Sequence, residues 1–260
     1  MRKPSHSKTR VLPQGLVLLY EDKDILVVDK PAGLLTVATE TERSRTAHFI
    51  LTDYIRKGCG RSRKRLYVVH RLDRDTSGTL IFAKSEEAKF RLKEQWKQTE
   101  KKYIAIVHGR CEKSEGTITS YLAEDGEYNV YSTPDSTTGK LSHTKYDVLR
   151  VTKELSLLEV TLLTGRKNQI RVHLSGIGHP IVGDTKYGHA DDPHVRMALH
   201  ARFISFKHPM SGKELRFEAE VPAFFHTLAG RIDFVGDSKS PAPAPRKSDR
   251  PRRFLRRQTR

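Results

Sequence analysis

The sequence predicts an α+β fold with a central mixed, mostly antiparallel sheet flanked by helices and loops. Three observations carry this reading. Eight runs rich in β-branched residues and bounded by turn formers read as strands. Stretches whose apolar residues recur at helical spacing interrupt them. The runs at 143–151 and 155–163 are separated by a connection too short for a crossover, so they pair antiparallel and a doubly wound parallel sheet is excluded.

In chain order, the strands are expected at 24–30 (DILVVDK), 67–70 (YVVH), 79–84 (TLIFAK), 102–109 (KYIAIVHG), 117–122 (TITSYL), 143–151 (HTKYDVLRV), 155–163 (LSLLEVTLL) and 199–206 (LHARFISF). A first helix is expected where Ala47, Ile50, Leu51, Tyr54 and Ile55 fall on one face. A second starts at Ser85, with Glu86 and Glu87 in its first turn and Ala88, Leu92 and Trp96 as its apolar face. A third begins near Lys167, carries Ile170, Leu174 and Ile177 on one face and stops at Gly178. Residues 15–236 are read as one domain, preceded by a basic extension at 1–14. It is followed by a disordered basic tail at 237–260, where Pro–Ala alternation and a run of arginines leave nothing with which to build a core.

The net charge of +17 points to a polyanionic partner, and a phosphate backbone is the commonest polyanion in a cell. Two cysteines, Cys59 and Cys111, cannot form a disulfide framework and suit a reducing, cytoplasmic setting. No apolar run is long enough to span a membrane. There is no phosphate-binding loop, and GIGHPIVG lacks the glycine spacing of a dinucleotide fingerprint. No histidine pair has helical ligand spacing, so no metal is expected.

Chemistry is concentrated in four stretches. In HRLDRDTSG (70–78), Arg71 and Arg74 alternate with Asp73 and Asp75, a density of charge that a hairpin does not need. Asp73 between cations can act as base or nucleophile, or can be one half of a structural ion pair that fixes the turn. In TGRKNQIRVHL, Arg166, Lys167, Arg171 and His173 stand at a helix start, which favours an anion. In KKYIAIV, Tyr103 is either a core aromatic or a platform for a base. The run RKGCGRSRKR (56–65) includes Arg61, Arg63, Lys64 and Arg65, contains no acid, and reads as a phosphate-tracking loop beside the catalytic strand.

Taken together these stretches resemble the RluA-type pseudouridine synthases. HRLDRDTSGTLIFAK matches every fixed position of the family's HRLDxxTSGxxxxAK signature. DILVVDKPAGLLTV is similar to its first motif, ending in KPxG, and TGRKNQIRVHLSGIGHPIVGDTKYG to its GRxHQIRVHL motif and the loop after it. LHARFISFKHPMSGKELRFEAEVP is similar to its closing segment. Asn168 stands where relatives usually carry His. The resemblance implies a pseudouridine synthase catalytic fold and isomerisation of uridines in ribosomal or transfer RNA stem-loops, with no cofactor and by a monomer. It implies that Asp73 is the essential carboxylate, Arg171 its partner and Tyr103 the surface on which uracil stacks. It also implies that Arg71 enters the gap left by a flipped nucleotide, with Arg74, Arg166, Lys167 and the basic loop on the RNA. A catalytically silent RNA-binding or ribosome-assembly protein on the same fold is the alternative.

Overall fold

The computed structural model describes residues 10–232 and 234. Residues 10–232 form one compact unit built on a twelve-stranded sheet. The strands are β1 (Arg10–Val11), β2 (Val17–Glu21), β3 (Ile25–Lys30), β4 (Tyr67–Val68), β5 (Ser77–Ala83), β6 (Glu100–His108), β7 (Glu115–Glu124), β8 (Val130–Thr133), β9 (Lys140–Val151), β10 (Leu155–Leu162), β11 (Leu199–Lys207) and β12 (Glu214–Glu218). The helices are α1 (Ala47–Arg56), α2 (Glu86–Glu94), α3 (Gln169–Gly176) and α4 (Ala223–Ala229). Along the sheet the order is β1-β2-β3-β5-β11-β6-β10-β9-β7-β8, with β4 also pairing β5 and β12 pairing β11.

Every named pairing is antiparallel except β5 with β11, where Ser77 and Gly78 face His200 and Ala201. This junction sews the signature stretch to the closing segment. Gly78 has φ +115°, and a Cβ on it would stand 2.2 Å from the Ala201 carbonyl oxygen, so only glycine lets the two backbones approach. The Thr79 hydroxyl donates to that carbonyl at 3.1 Å, and Ser77 Oγ lies 2.9 Å from His200 Nδ1. All of β5 is buried, and Ile81 and Ala83 pack with Ile25, Val27, Ile204, Phe206 and the α2 residues Ala88 and Leu92. Asp73 therefore sits on a loop that leads into the most deeply buried strand of the sheet.

Several boundaries differ from the sequence reading. The sheet begins within the stretch read as an extension, since β1 pairs with β2 through Arg10↔Leu18 and Val11↔Val17. The strand expected at 67–70 keeps ladder bonds only at Tyr67 and Val68, because His70 Nε2 instead accepts the Ile81 N–H at 3.1 Å. Helix α2 starts as expected, with Ser85 Oγ accepting from the Ala88 N–H at 3.1 Å, but it ends at Glu94 and Trp96 opens a separate tight turn. Helix α3 starts at Gln169 with Asn168 as its cap, and it buries Ile170, Val172, His173 and Leu174 while Ile177 stays 39% exposed. β2, β8, β12 and α4 were not expected; they are short, and their apolar residues pack one edge or face of a larger element. The tail at 237–260 lies outside the described residues, as do residues 1–9.

Gly78→Ala is expected to cost about 3 kcal/mol, because the added methyl overlaps a backbone carbonyl in a left-handed region. Urea denaturation measures it, and an unchanged midpoint contradicts the close approach.

Acid should loosen the fold in a definite window. Burial holds three imidazoles neutral: it depresses the pKa of His70 to about 3, helped by Lys101, that of His173 to about 4, helped by His143, and that of His200 to about 4. The unfolded chain protonates its histidines near pH 6.5, so between about 6.5 and 4 it binds more protons than the fold and stability falls as pH falls. Asp29, raised by burial to about 6, acts in the opposite sense over part of that range and offsets one of the three. Urea midpoints measured from pH 7 to 4 should decline, and His173→Gln should flatten the slope.

Candidate active site

The loop from Val69 to Thr76 hangs between β4 and β5 and is clamped by the segment 30–36. Thr36 Oγ1 donates to the Leu72 carbonyl at 2.8 Å and accepts the Leu72 N–H at 3.2 Å. The Gly33 N–H donates to the Arg74 carbonyl at 2.9 Å. Lys30, fully buried at the end of β3, donates to the carbonyls of Pro31 (2.9 Å), Leu34 (2.7 Å) and Arg74 (3.0 Å). Burial lowers its pKa to about 7, against the pull of Asp75, Asp73 and Asp29. Three carbonyl acceptors consume three N–H donors, a set that only the ammonium form supplies. The two stretches that look independent in the sequence, KPAGLLT and RLDR, are thus one folded unit around one buried cation.

Asp73 is half-buried and lines a cleft of about 500 Å³ together with Arg71, Tyr103, Arg166, Lys167, Asn168 and Arg171. Arg171 Nη1 stands 3.3 Å from Asp73 Oδ2. That contact is the weaker part of what holds the guanidinium. Its Nε and Nη2 both donate at 2.7 Å to the two oxygens of Asp184, and Nη1 also donates to Asn168 Oδ1 at 3.2 Å. The principal partner of Arg171 is therefore Asp184 and not Asp73. Burial by itself would lower the Arg171 pKa, but the bonds and charge of Asp184, with Asp73 behind them, raise it instead. Burial would raise Asp184, and the Arg171 bonds together with the N–H groups of Tyr187 and Lys186 bring it below the usual carboxylate range.

Asn168 is tied directly into this arrangement. Its backbone is left-handed (φ 52°), a conformation asparagine tolerates, and its Nδ2 donates to the Tyr187 hydroxyl at 3.1 Å while its Oδ1 accepts from Arg171. The guanidinium lies over the Tyr187 ring at 5.0 Å. Gln169 does the matching work on the other side. Nearly fully buried, it accepts the Arg166 N–H (3.0 Å) and the Thr164 hydroxyl (2.9 Å) and donates to Thr144 Oγ1 (2.9 Å), which fixes the turn that presents Arg166. His173 is buried below, bonded to Thr144 at 2.9 Å, and does not reach the cleft.

Tyr103 projects into the cleft from β6 and is 8% exposed, and burial with the Asp73 charge pushes its hydroxyl pKa up. The phenol is thus neutral at ordinary pH. Lys101, two residues earlier on the same face of β6, also lines the cleft. Its Nζ donates to the Thr99 carbonyl at 2.8 Å, it lies 5.2 Å above the Trp96 ring, and burial lowers its pKa to about 8. The His70 ring packs against that same indole, with centroids 4.7 Å apart.

The basic residues divide. Arg71 and Arg166 are exposed and line the cleft. Lys167 lines it too, but its ammonium is paired with Glu124, donates to the Tyr128 carbonyl at 3.0 Å and covers the Tyr128 ring. Arg74 folds back instead, its Nε donating to the Gly33 carbonyl at 3.3 Å, and it lines no part of the cleft. The basic loop does not flank the cleft as expected: Arg61, Arg63, Lys64 and Arg65 are all exposed and none lines it, because α1 and its following turn carry the loop to a separate cavity. Asp73 and Asp75 also part company, with Asp75 lining a cavity on the other side of Arg171. Two groups of ligand-type side chains are present among the described residues, His108–Asp192–His194 and Asp22–Asp24–His208. Neither lines the cleft, and in each a carboxylate already takes hydrogen bonds from imidazole, at 2.6 and 2.7 Å for Asp192 and 2.8 Å for Asp22.

Lys30, Asp184, Gln169 and Lys101 are the residues that motif spacing did not single out. Lys30 and Gln169 belong to quoted motifs, but their partners are backbone groups and buried hydroxyls that sequence does not display. Asp184 lies thirteen residues from Arg171 in the GDTKYG loop.

Two solved human structures share this architecture and give the class. RNA Pseudouridylate Synthase Domain Containing 4 superposes with a TM-score of 0.67 at 25% identity, covering 80% of this chain and 89% of that one. RNA Pseudouridylate Synthase Domain Containing 1 does so with a TM-score of 0.64 at 25% identity, covering 82% and 86%. Residues 24–176 match the family described as RNA pseudouridylate synthase, and the chain belongs to that family, in its RluA-type branch. Its members are isomerases. Among relatives, ribosomal large subunit pseudouridine synthase D of Zymomonas mobilis is 34% identical over 85% of this chain and 73% of its own length. An uncharacterized RNA pseudouridine synthase of Mycoplasma pneumoniae is 37% identical over 81% and 68%.

Replacing Lys30 by Met should destabilise the protein by about 3–5 kcal/mol, since it strands the buried Leu34 carbonyl and two part-buried ones and leaves Asp29 and Asp75 without the neighbouring charge. Urea denaturation tests this, and hydrogen exchange should show the 69–76 loop opening first.

Proposed function

We propose that the protein converts specific uridines in structured RNA, ribosomal or transfer, to pseudouridine, with Asp73 as the carboxylate that acts on the nucleotide. The observation that supports this most is the convergence in one cleft of Asp73, the buried ring of Tyr103 and the Arg171 guanidinium at 3.3 Å. The reaction breaks the N1–C1′ bond of uridine, turns the uracil and joins C5 to C1′; C5 loses a proton and N1 gains one. Nothing is oxidised or reduced, so the chemistry asks for no cofactor. Whether Asp73 attacks C1′, attacks C6 or takes the C2′ proton, its carboxylate must be aimed at the sugar–base junction. Arg171 serves that aim, because Asp184 fixes the guanidinium through Nε and Nη2, while Nη1 is shared between Asn168 and Asp73.

Tyr103 supplies the flat surface for the base. Its neutral hydroxyl suits it to donate a hydrogen bond to uracil and makes it a poor base for the final C5 proton. Arg71, exposed on the lip of the cleft, would enter the space a flipped uridine vacates and Arg166 would meet its flanking phosphates, whereas Lys167 is held by Glu124 and the Tyr128 carbonyl and reaches RNA only if that pairing is given up. The large-subunit synthases among the relatives favour a ribosomal substrate. We take the enzyme to act as a cytoplasmic monomer. No helix among the described residues is long and apolar enough to cross a membrane.

Asp73→Asn should abolish pseudouridine formation while leaving RNA affinity nearly unchanged, as read by product mapping and by filter binding; wild-type turnover in this variant sinks the assignment. Asp184→Asn removes the charged half of the bidentate pair and should lower kcat by about 10- to 100-fold with little change in KM, since a misaimed guanidinium acts through Asp73. A fall in affinity alone would make Arg171 a phosphate contact.

Tyr103→Phe should keep binding of the flipped base, whereas Tyr103→Leu should lose the roughly 1–3 kcal/mol that base stacking contributes. Equal behaviour of the two variants in binding and turnover would reduce Tyr103 to a core aromatic.

A further inference from the structure

A cavity of about 1040 Å³, about twice the volume of the Asp73 cleft, shares no lining residue with that cleft. It opens between helix α1, the loop that follows, and the turn after β1. Cations on its walls outnumber carboxylates by seven to two. One wall is internally paired: Lys84 donates to Glu21 at 2.6 Å, and Tyr54 links Glu21 to Arg10. The remaining cations are Lys23, Arg45, Lys57, Lys64 and Arg65, all exposed, and among the described residues none of their side chains makes an ion pair or hydrogen bond.

Five like charges held around one groove repel each other, and the fold keeps them together. Lys57 caps α1 in a left-handed conformation, its N–H bonded to the Asp53 and Tyr54 carbonyls. Gly58, Cys59 and Ser62 continue the turn with backbone bonds of 3.3, 3.0 and 3.0 Å, and Arg56 Nε donates to the Lys64 carbonyl at 2.8 Å. The loop is therefore shaped before any ligand arrives. On the same groove, Phe49 turns outward from α1 and is 52% exposed, on a helix whose buried positions are Ala47, Leu51 and Ile55. An exposed ring among unpaired cations is how proteins hold single-stranded nucleic acid, with phosphates on the cations and a base on the ring. A duplex has no free base face to offer, and an acidic peptide has none at all.

We propose that this groove binds an unpaired stretch of the RNA substrate remote from the target uridine, its phosphates on Lys23, Arg45, Lys57, Lys64 and Arg65 and one base stacked on Phe49. The proposal rests on the RNA-modifying reading above and deepens it: the enzyme grips RNA at two places, and only the Asp73 cleft does chemistry.

The test uses a fluorescent oligouridylate of about twelve nucleotides, within the span of single-stranded binding sites, with anisotropy titrations across a salt series. Each phosphate contact in a single strand contributes about 0.7 to the slope of log affinity against log salt, so the combined variant Lys57→Gln, Lys64→Gln, Arg65→Gln should be shallower by about two. Phe49→Ala should weaken binding about tenfold at unchanged slope, and Phe49→Tyr should restore it. An unchanged slope in the triple variant overturns the proposal, as does an unchanged affinity in Phe49→Ala. So does a polyglutamate of equal length that competes as well as the oligonucleotide, which would make the groove a site for acidic protein segments. Failure of the pseudouridine reading would appear elsewhere, as no pseudouridine formed in RNA by the unmodified enzyme, and would leave these titrations as they are.

Discussion

A single buried ammonium organises the active region. Lys30 has no exposed surface, and its three N–H groups are spent on the carbonyls of Pro31, Leu34 and Arg74. Placing a charge there is costly, and what offsets the cost is a full set of short hydrogen bonds and the nearby carboxylates of Asp29, Asp73 and Asp75. The consequence reaches beyond stability. Because the Arg74 carbonyl is one of the three acceptors, the backbone next to Asp73 cannot move without breaking a charge-assisted hydrogen bond. Thr36 closes the same clamp from the other side through Leu72. The loop that carries Asp73 is thereby pinned at two points to the segment 30–36.

The opposite wall of the cleft is built on the same plan with the signs exchanged. Asp184 is the buried charge, satisfied by the fork of Arg171 and by two backbone N–H groups, and it leaves Nη1 free to face Asp73 and Asn168. Pairing at 2.7 Å on one side and 3.3 Å on the other shows where the guanidinium is anchored and where it is offered. Between the walls, the parallel contact of β5 with β11 holds them in register. It depends on the absence of a side chain at Gly78, so the position of Asp73 relative to Arg171 traces back to one missing Cβ.

Positive charge on this protein is not a uniform coat. Lys167 and Arg74 are largely spent on internal partners, Arg71 and Arg166 stand at the cleft, and the cations around α1 gather at a second groove with an outward aromatic. Diffuse charge raises association rates for any polyanion, whereas charge held on ordered loops around shaped cavities selects a path for a backbone.

Much of this was legible in the sequence, because local rules govern it. Runs rich in β-branched residues and bounded by turn formers marked the central strands, Ser85 marked the start of α2, and the order of four motifs resembled one family, which the match over 24–176 bears out. The sequence alone also brought Asp73, Tyr103 and Arg171 forward as candidates, by motif position. What it could not determine is who touches whom. That Arg171 belongs first to Asp184, that Lys30 binds three carbonyls, that Arg74 turns away and that the 56–65 loop serves a different cavity are all outcomes of chain segments distant in sequence meeting in space. Hydrogen-bond partners and burial are set by packing, and a residue's letter reports what it can donate or accept, while only the tertiary structure decides which atom is there to receive it.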